Sequence, residues 1–226
     1  MDCIHRDHYK GRITMIRVLI VDDHELVRAG LRRILEESPE IGDIYEVASG
    51  EDAIDFNREH RPDVILLDLG LPGMSAFEAT RRLVHARRSV RVIILATHAK
   101  SPYPTRMLDE GARGYLTKDC DAAELMEAIH SVCANTTYIG AEAAKQLALS
   151  ILPGTAESPF DGLSTREMEV MLKLTEGDRV PDIASKLCLS PKTIATYKYR
   201  IYDKLGTRSE VDLLRMAMRY GLLEAS

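Results

Sequence analysis

Arg17–Arg28 reads RVLIVDDHELVR. A short apolar run ends in two adjacent carboxylates, Asp22 and Asp23, and helical spacing of Leu26, Ala29, Gly30, Ile34 and Leu35 starts straight afterwards. A continuous apolar run of this length is the pattern of a strand buried on both faces. Neighbouring like charges repel, and burying them without a partner is costly. One reading of the pair is a solvated turn whose acid caps the next helix. The other is a hard-cation site, because Mg²⁺ takes oxygen ligands, usually one or two carboxylates together with a phosphate.

Working outward, the alternation of apolar runs and amphipathic stretches continues. Ile16–Val21 and a helix over His24–Glu37 are followed by a short β-branched run, Ile44–Ala48, and a helix over Glu51–His60. Val64–Leu67 is wholly apolar and ends in Asp68, before a helix over Ala76–Ala86. Then come strand Val90–Ala96, helix Tyr103–Glu110, strand Gly114–Thr117, and a helix over Asp121–Cys133 with Asp121 and Glu124 at capping-box spacing. Five such units predict an α/β doubly wound, flavodoxin-like domain with five parallel strands. Ligands of such sheets bind at the carboxyl ends of the strands. That rule gathers Asp22, Asp23, Asp68, Thr97 and Lys118 around one crevice.

The chain is 226 residues long, enough for one large domain or two small ones, with an ordinary soluble composition of 45% hydrophobic and 29% charged residues. No apolar run approaches the roughly 18 residues of a membrane span. The N-terminal MDCIHRDHYKGRIT lacks the apolar core of a secretory signal. Cys3, Cys120, Cys133 and Cys188 have no metal-ligand spacing and read as free thiols in a reducing cytoplasm. Charge is uneven: residues 161–226 carry a net +1 and the remainder −6 of the overall −5. Lys192–Lys204 holds four basic residues against one acidic. That stripe fits nucleic acid, and equally a solvated helix face.

Beyond the sheet, Glu142–Leu152 reads as a helix and Pro153–Gly162 as a linker. The rest is helical: Ser164–Thr175 opening on Ser164-x-x-Glu167, Pro181–Leu187, a turn at Cys188–Ser190, Pro191–Leu205, and Ser209–Tyr220 before Gly221. The expected organisation is an extension over 1–14, expected to be disordered, a sheet domain over 15–135, a linker helix and linker over 136–160, and an all-α domain over 161–226.

Asp22-Asp23, LLDLGLPG over Leu66–Gly73, Thr97 and GYLTK over Gly114–Lys118, in that order, resemble the receiver domain of bacterial response regulators. The segment LSTREMEVMLKLTEG with IASKLCLSPKTIATYKYRIYDKLGTRSEV resembles the LuxR-type helix-turn-helix domain. Together they resemble NarL/FixJ-type two-component regulators, nearest the GacA/UvrY type. The resemblance implies phosphorylation of Asp68 by a sensor histidine kinase. It implies Mg²⁺ held by Asp22, Asp23, Asp68 and the Gly70 carbonyl, with Lys118 pairing Asp68 and Thr97 donating to the phosphoryl group. Tyr115 stands at the family's aromatic switch position, turning inward as Thr97 moves, with readout through Tyr103–Cys133. The implied partners are double-stranded DNA at palindromic promoter sites, RNA polymerase and a second copy once phosphorylated. The implied action is a non-enzymatic, cytoplasmic one, switching on small regulatory RNA genes.

In the helix-turn-helix, Pro181–Leu187 is the scaffold helix and Pro191–Leu205 the recognition helix. Ile194, Tyr197, Ile201 and Leu205 form its core stripe. Ala195, Thr196 and Tyr199 are the candidates for base edges, and Lys192, Thr193, Lys198, Arg200 and Lys204 for phosphates. Val211, Leu214 and Met218 on the last helix read either as a dimer face or as a core face.

Two features depart from the family pattern. Thr97 and Lys118 are 21 residues apart, one fewer than usual, and Asp119 replaces the proline common after the lysine. His24 and His98 flank the crevice, at spacings that match no transition-metal motif. The rival readings are a phosphorylation-independent regulator with a structural receiver, and a doubly wound phosphatase, which would need a second carboxylate two residues beyond Asp68 where Gly70 stands.

Overall fold

The computed structural model describes residues 15–97, 103–150, 158–187, 189–220 and 222. Residues 16–150 build a parallel sheet in the order β2-β1-β3-β4-β5-β6. Its strands are β1 (Ile16–Val21), β2 (Ile41–Val47), β3 (Val64–Asp68), β4 (Arg91–Ala96), β5 (Gly114–Thr117) and β6 (Tyr138–Ile139). Helices α1 (Glu25–Glu36), α2 (Gly50–His60), α3 (Ala76–Ala86), α4 (Tyr103–Asp109) and α5 (Ala122–Cys133) link them, and α6 (Ala141–Ser150) follows. Successive strand residues point to opposite faces. Leu19, Ile65, Leu67 and Ile94 therefore pack with α2, α3 and α4, and Val18, Ile20, Leu66 and Ile93 with α1 and α5. β1 lies between β2 and β3, so the direction of winding reverses there and a crevice opens at the strands' carboxyl ends.

The fold class is the expected one, with one correction. The sheet has six strands rather than five: Tyr138 pairs with Gly114 and Ile139 with Tyr115. Two residues carry no readable periodicity, so β6 fell within the stretch assigned to the linker. β2 also begins earlier than expected, at Ile41, because Gly42 and Asp43 are weak strand formers held in place by pairing with β1. The N-terminal extension, His98 and residues 151–157 lie outside the described residues, and so do Cys188 and Gly221.

Four helices follow: α7 (Thr165–Thr175), α8 (Val180–Lys186), α9 (Pro191–Leu205) and α10 (Glu210–Arg219). The capping box is present: Ser164 accepts from the Glu167 N–H, and the Glu167 carboxylate accepts from the Ser164 N–H at 2.7 Å. Ser190 caps α9, and Gly206 ends it in the left-handed conformation (φ 64°) that glycine adopts without strain. Pro159–Gly162, read as linker, forms a 3₁₀ turn with Phe160 fully buried.

The helical unit docks on α3 and α4. Ser75 donates to Glu169 at 2.6 Å, and Arg166 reaches Glu169 at 2.8 Å and Glu78 at 2.9 Å. The Arg106 guanidinium donates to the carbonyls of Phe160, at 2.8 Å, and Leu163. Glu169 is fully buried, a position a carboxylate holds only when it is paired.

Candidate functional site

Three of the expected crevice residues meet. Asp22, just past β1, is 1% exposed, and Asp68, closing β3, is 4% exposed. Lys118, just past β5, places Nζ 2.7 Å from Asp22 Oδ2 and 2.9 Å from Asp68 Oδ1. The sequence reading paired Lys118 with Asp68; the structure makes it a bridge between both acids. The His24 N–H donates to Asp22 Oδ1 at 2.8 Å, and His24 Nδ1 lies 2.9 Å from the exposed Asp23. The two costly neighbours are thus supported by an ammonium, a backbone amide and an imidazole.

Electrostatics follow from burial. Loss of water raises the Asp68 pKa, more than Lys118 lowers it. Burial works against the Lys118 ammonium, but its hydrogen bonds to Asp22 and Asp68 outweigh that and raise its pKa. The Gly70 N–H also bonds the Asp68 carboxylate, and a Cβ at Gly70 would lie 3.4 Å from Asp68 Oδ2. One ligand atom from each of Asp22, Asp23, His24 and Asp68 lies within 4.8 Å of the others. Three carboxylates so disposed are a donor set suited to a hard, oxygen-seeking dication.

Thr97 follows β4 directly and is exposed. The Lys118 N–H donates to the neighbouring Ala96 carbonyl at 2.8 Å, so the two positions sit on adjacent strand ends. Tyr115 is fully buried, in register with Ile94 on one side and Ile139 on the other. Burial first, then the nearby Tyr103 of α4, raises the pKa of its phenol.

On α9 the core stripe is as expected: Ile194, Ile201 and Leu205 are buried and Tyr197 half-buried. Lys192, Ala195, Thr196, Tyr199 and Arg200 are exposed, Tyr199 by 73%. Lys192 and Arg200 have no acidic partner among the described residues. The other two cations are engaged: Lys198 with Glu210 at 2.6 Å, Lys204 with Glu167 at 2.7 Å and the Gly162 carbonyl at 3.1 Å. The Thr193 and Ser190 hydroxyls are 2.8 Å apart, and Thr196 donates to the Lys192 carbonyl. On α10 Leu213 and Ala217 are fully buried, whereas Val211 and Met218 are exposed, so core and free face lie on different sides of one helix.

Sequence reasoning missed the His24 amide and the Arg106 grip on the 3₁₀ turn. The first is a backbone group and leaves no residue signal. The second is an arginine whose partners are carbonyls far away in the chain.

A doubly wound domain with an acidic strand-end crevice, joined to a helix-turn-helix unit, defines a two-domain DNA-binding regulator. Residues 18–130 match the model of the response regulator receiver domain, and residues 161–217 that of the bacterial regulatory proteins of the luxR family. The chain belongs to the two-component response regulators with a LuxR-type DNA-binding domain. It is 44% identical to the response regulator UvrY of Escherichia coli K12, over 93% of this chain and 97% of that protein. It is 42% identical to the response regulator GacA of Pseudomonas aeruginosa, over 94% of this chain and all of that one. RcsB of Salmonella enterica serovar Typhimurium, solved bound to promoter rprA in the presence of phosphomimetic BeF₃⁻, shares the fold. Its TM-score is 0.73 at 24% identity, over 89% of this chain and 98% of that one. The family is one of transcription regulators, not enzymes. No described helix is long and apolar enough to cross a membrane.

Proposed function

We propose that Asp68 accepts a phosphoryl group from the phosphohistidine of a sensor kinase, and that this switches DNA binding and transcription activation. The observation that carries the reading is the buried Asp68 sharing Lys118 with Asp22 at the strand ends. An Asp68 carboxylate oxygen attacks phosphorus, the P–N bond to the histidine breaks, and the imidazole leaves and takes a proton from water. Such transfer is mostly positioning and charge neutralisation. Asp22, Asp23, Asp68 and the Gly70 carbonyl would hold Mg²⁺, which when bound neutralises charge on the phosphoryl oxygens. Lys118, already held between the two acids, pairs with the phosphoryl oxygens once Asp68 is esterified. Thr97 donates its hydroxyl to the same group.

Phosphorylation adds about −1.5 to −2 charges and shifts the protein only through contacts that differ between two states. Tyr115 stands at the switch position, and it is already buried near Tyr103 rather than waiting to turn inward; that packing supports a route through α4 to Arg106 and the helical unit. On DNA, Ala195, Thr196 and Tyr199 face base edges. Lys192 and Arg200, with Thr193, Lys198 and Lys204, face phosphates. Val211, Leu214 and Met218 would pair two copies on a palindromic promoter site, where the dimer recruits RNA polymerase. Likeness to the GacA/UvrY type supports small regulatory RNA genes as targets, and a cytoplasmic location.

One observation favours a second reading, a regulator independent of phosphorylation: the outer face of α9, with Tyr199 73% exposed, is open to solvent and not covered by the receiver. Purified protein and Asp68→Asn, each incubated with Mg²⁺ and a small phosphodonor and read by intact mass and DNA affinity, decide between them. One added phosphoryl group, lost in the variant, together with tighter DNA binding supports the switch. No added group and unchanged DNA affinity supports the second reading.

A further inference from the structure

Away from both sites, an open cavity of about 400 Å³ lies between the end of α9 and α10. Its size is within the range of small-ligand pockets. Arg208, Arg215 and Arg219 line it, all exposed. None has an acidic partner among the described residues. Elsewhere Arg17, Arg28, Arg32, Arg58, Arg81, Arg82 and Arg166 face carboxylates, whereas Arg113 and Arg200, like these three, have no acidic partner among the described residues. In a chain of net charge −5, three guanidinium groups without acidic partners around one hollow are a local concentration of positive charge.

A second observation is independent of charge. Thr207, in the same lining, is 8% exposed, and its Oγ1 is buried with no hydrogen-bond partner. A buried hydroxyl without a partner carries an uncompensated desolvation cost, so such groups call for an explanation. The lone carboxylate in the lining, Asp212, is already used: it accepts from the Ser209 hydroxyl at 2.8 Å at the N-cap of α10. Met216 and Tyr220 supply an apolar and aromatic wall, with the Tyr220 ring edge-on to Phe160 at 5.9 Å.

We propose that this hollow is a phosphate-binding site, in which Arg208, Arg215 and Arg219 hold the oxygens of a phosphate ester and the Thr207 hydroxyl gains its missing partner. Guanidinium groups match phosphate oxygens in pairs. The wall of Met216 and Tyr220 accommodates the body of a small phosphorylated molecule. The same phosphate chemistry is also presented by the backbone of DNA, since Gly206–Arg208 follow directly on α9.

The test uses the full chain, with pyrophosphate as probe by calorimetry at constant ionic strength, and a promoter duplex for DNA affinity. The variants are Arg215→Gln with Arg219→Gln, Thr207→Val, and Arg33→Gln on the distant α1 as a charge control. The expected result is saturable pyrophosphate binding, weakened at least tenfold by the double variant and severalfold by Thr207→Val, and unaltered by Arg33→Gln. Thr207→Val keeps the side chain's shape and needs no buried partner, so it keeps the fold intact where the double variant fails to fold. Lost pyrophosphate binding with unchanged DNA affinity assigns the site to a small ligand. Loss of both, with a shallower salt dependence, assigns it to DNA phosphates. Absence of saturable binding, or equal weakening by Arg33→Gln, overturns the proposal.

Discussion

In the strand-end crevice, Asp22 and Asp68 are 1% and 4% exposed and share one ammonium. On α9, Tyr199 is 73% exposed, and Lys192 and Arg200 lack an acidic partner among the described residues. The two regions treat charge oppositely because their ligands differ in when they arrive. Under the proposed function the crevice takes a phosphoryl group and a dication, and its acids are held in place beforehand by Lys118 and the His24 amide. A surface that lies against a polyanion can keep cations such as Lys192 and Arg200 in water, where holding them costs little, and gains when counterions are released from the DNA. The comparison predicts that single substitutions in the crevice act on stability, and those on α9 act on binding alone.

Lys118→Met is the severest way to break the comparison. It leaves two nearly buried carboxylates without their cation, and removing one partner of a buried ion pair costs about 3 kcal/mol. Urea denaturation is expected to show that loss near neutral pH. The loss should shrink in acid, because burial already raises the Asp68 pKa and a protonated Asp68 needs no cation. A loss under about 1 kcal/mol at neutral pH would place the crevice in the same electrostatic class as α9.

The interface between the two units sharpens the contrast, since it also buries charge. Burial raises the Glu169 pKa despite Ser75, Arg166 and Arg81. A carboxyl whose folded pKa is raised binds more protons folded than unfolded. Its stabilising contribution is therefore full below the unfolded carboxylate pKa and is lost as pH rises through the folded value. Glu169→Gln keeps an acceptor for Ser75 and removes the titration. The stability of the wild type relative to this variant should fall as pH rises above the ordinary carboxylate range. Equal pH slopes in thermal melts of the two proteins would show that Glu169 is not the group responsible.

This interface also marks where the sequence stops being legible. The strands β1 and β5 and the helices α3 and α9 were read to the residue, because continuous apolar runs, caps and helical spacing are local signals. The crevice was legible because its acids, hydroxyl and lysine each sit at the end of such a strand. β6 was not, since two residues carry no period and pair only because α5 brings them to the edge of β5. The burial of Glu169 was not, because charged residues on a helix read as solvent-facing, and nothing local to α7 reveals that Ser75 and Arg81 of the sheet domain reach it. Residue type reports the average environment, and buried charge departs from that average for reasons found only in three dimensions.

Lys192→Ala is the mildest test and addresses the α9 side alone. Lys192 lies in the first turn of α9, exposed and without an acidic partner among the described residues, so its loss leaves no buried group unpaired. Surface substitutions of this kind change stability by less than about 0.5 kcal/mol, and the thermal midpoint should stay within a degree or two of wild type. DNA affinity should fall severalfold, and equally for specific and unrelated duplexes, because a phosphate contact carries no sequence information. The slope of log affinity against log salt should become shallower by about 0.9, the share of one phosphate. Lys198→Ala should change that slope less, since Lys198 must first leave Glu210, 2.6 Å away. Equal slopes for the two variants would mean that the pairing seen in the free protein does not govern which cations reach DNA, and that exposure alone does not separate α9 from the crevice.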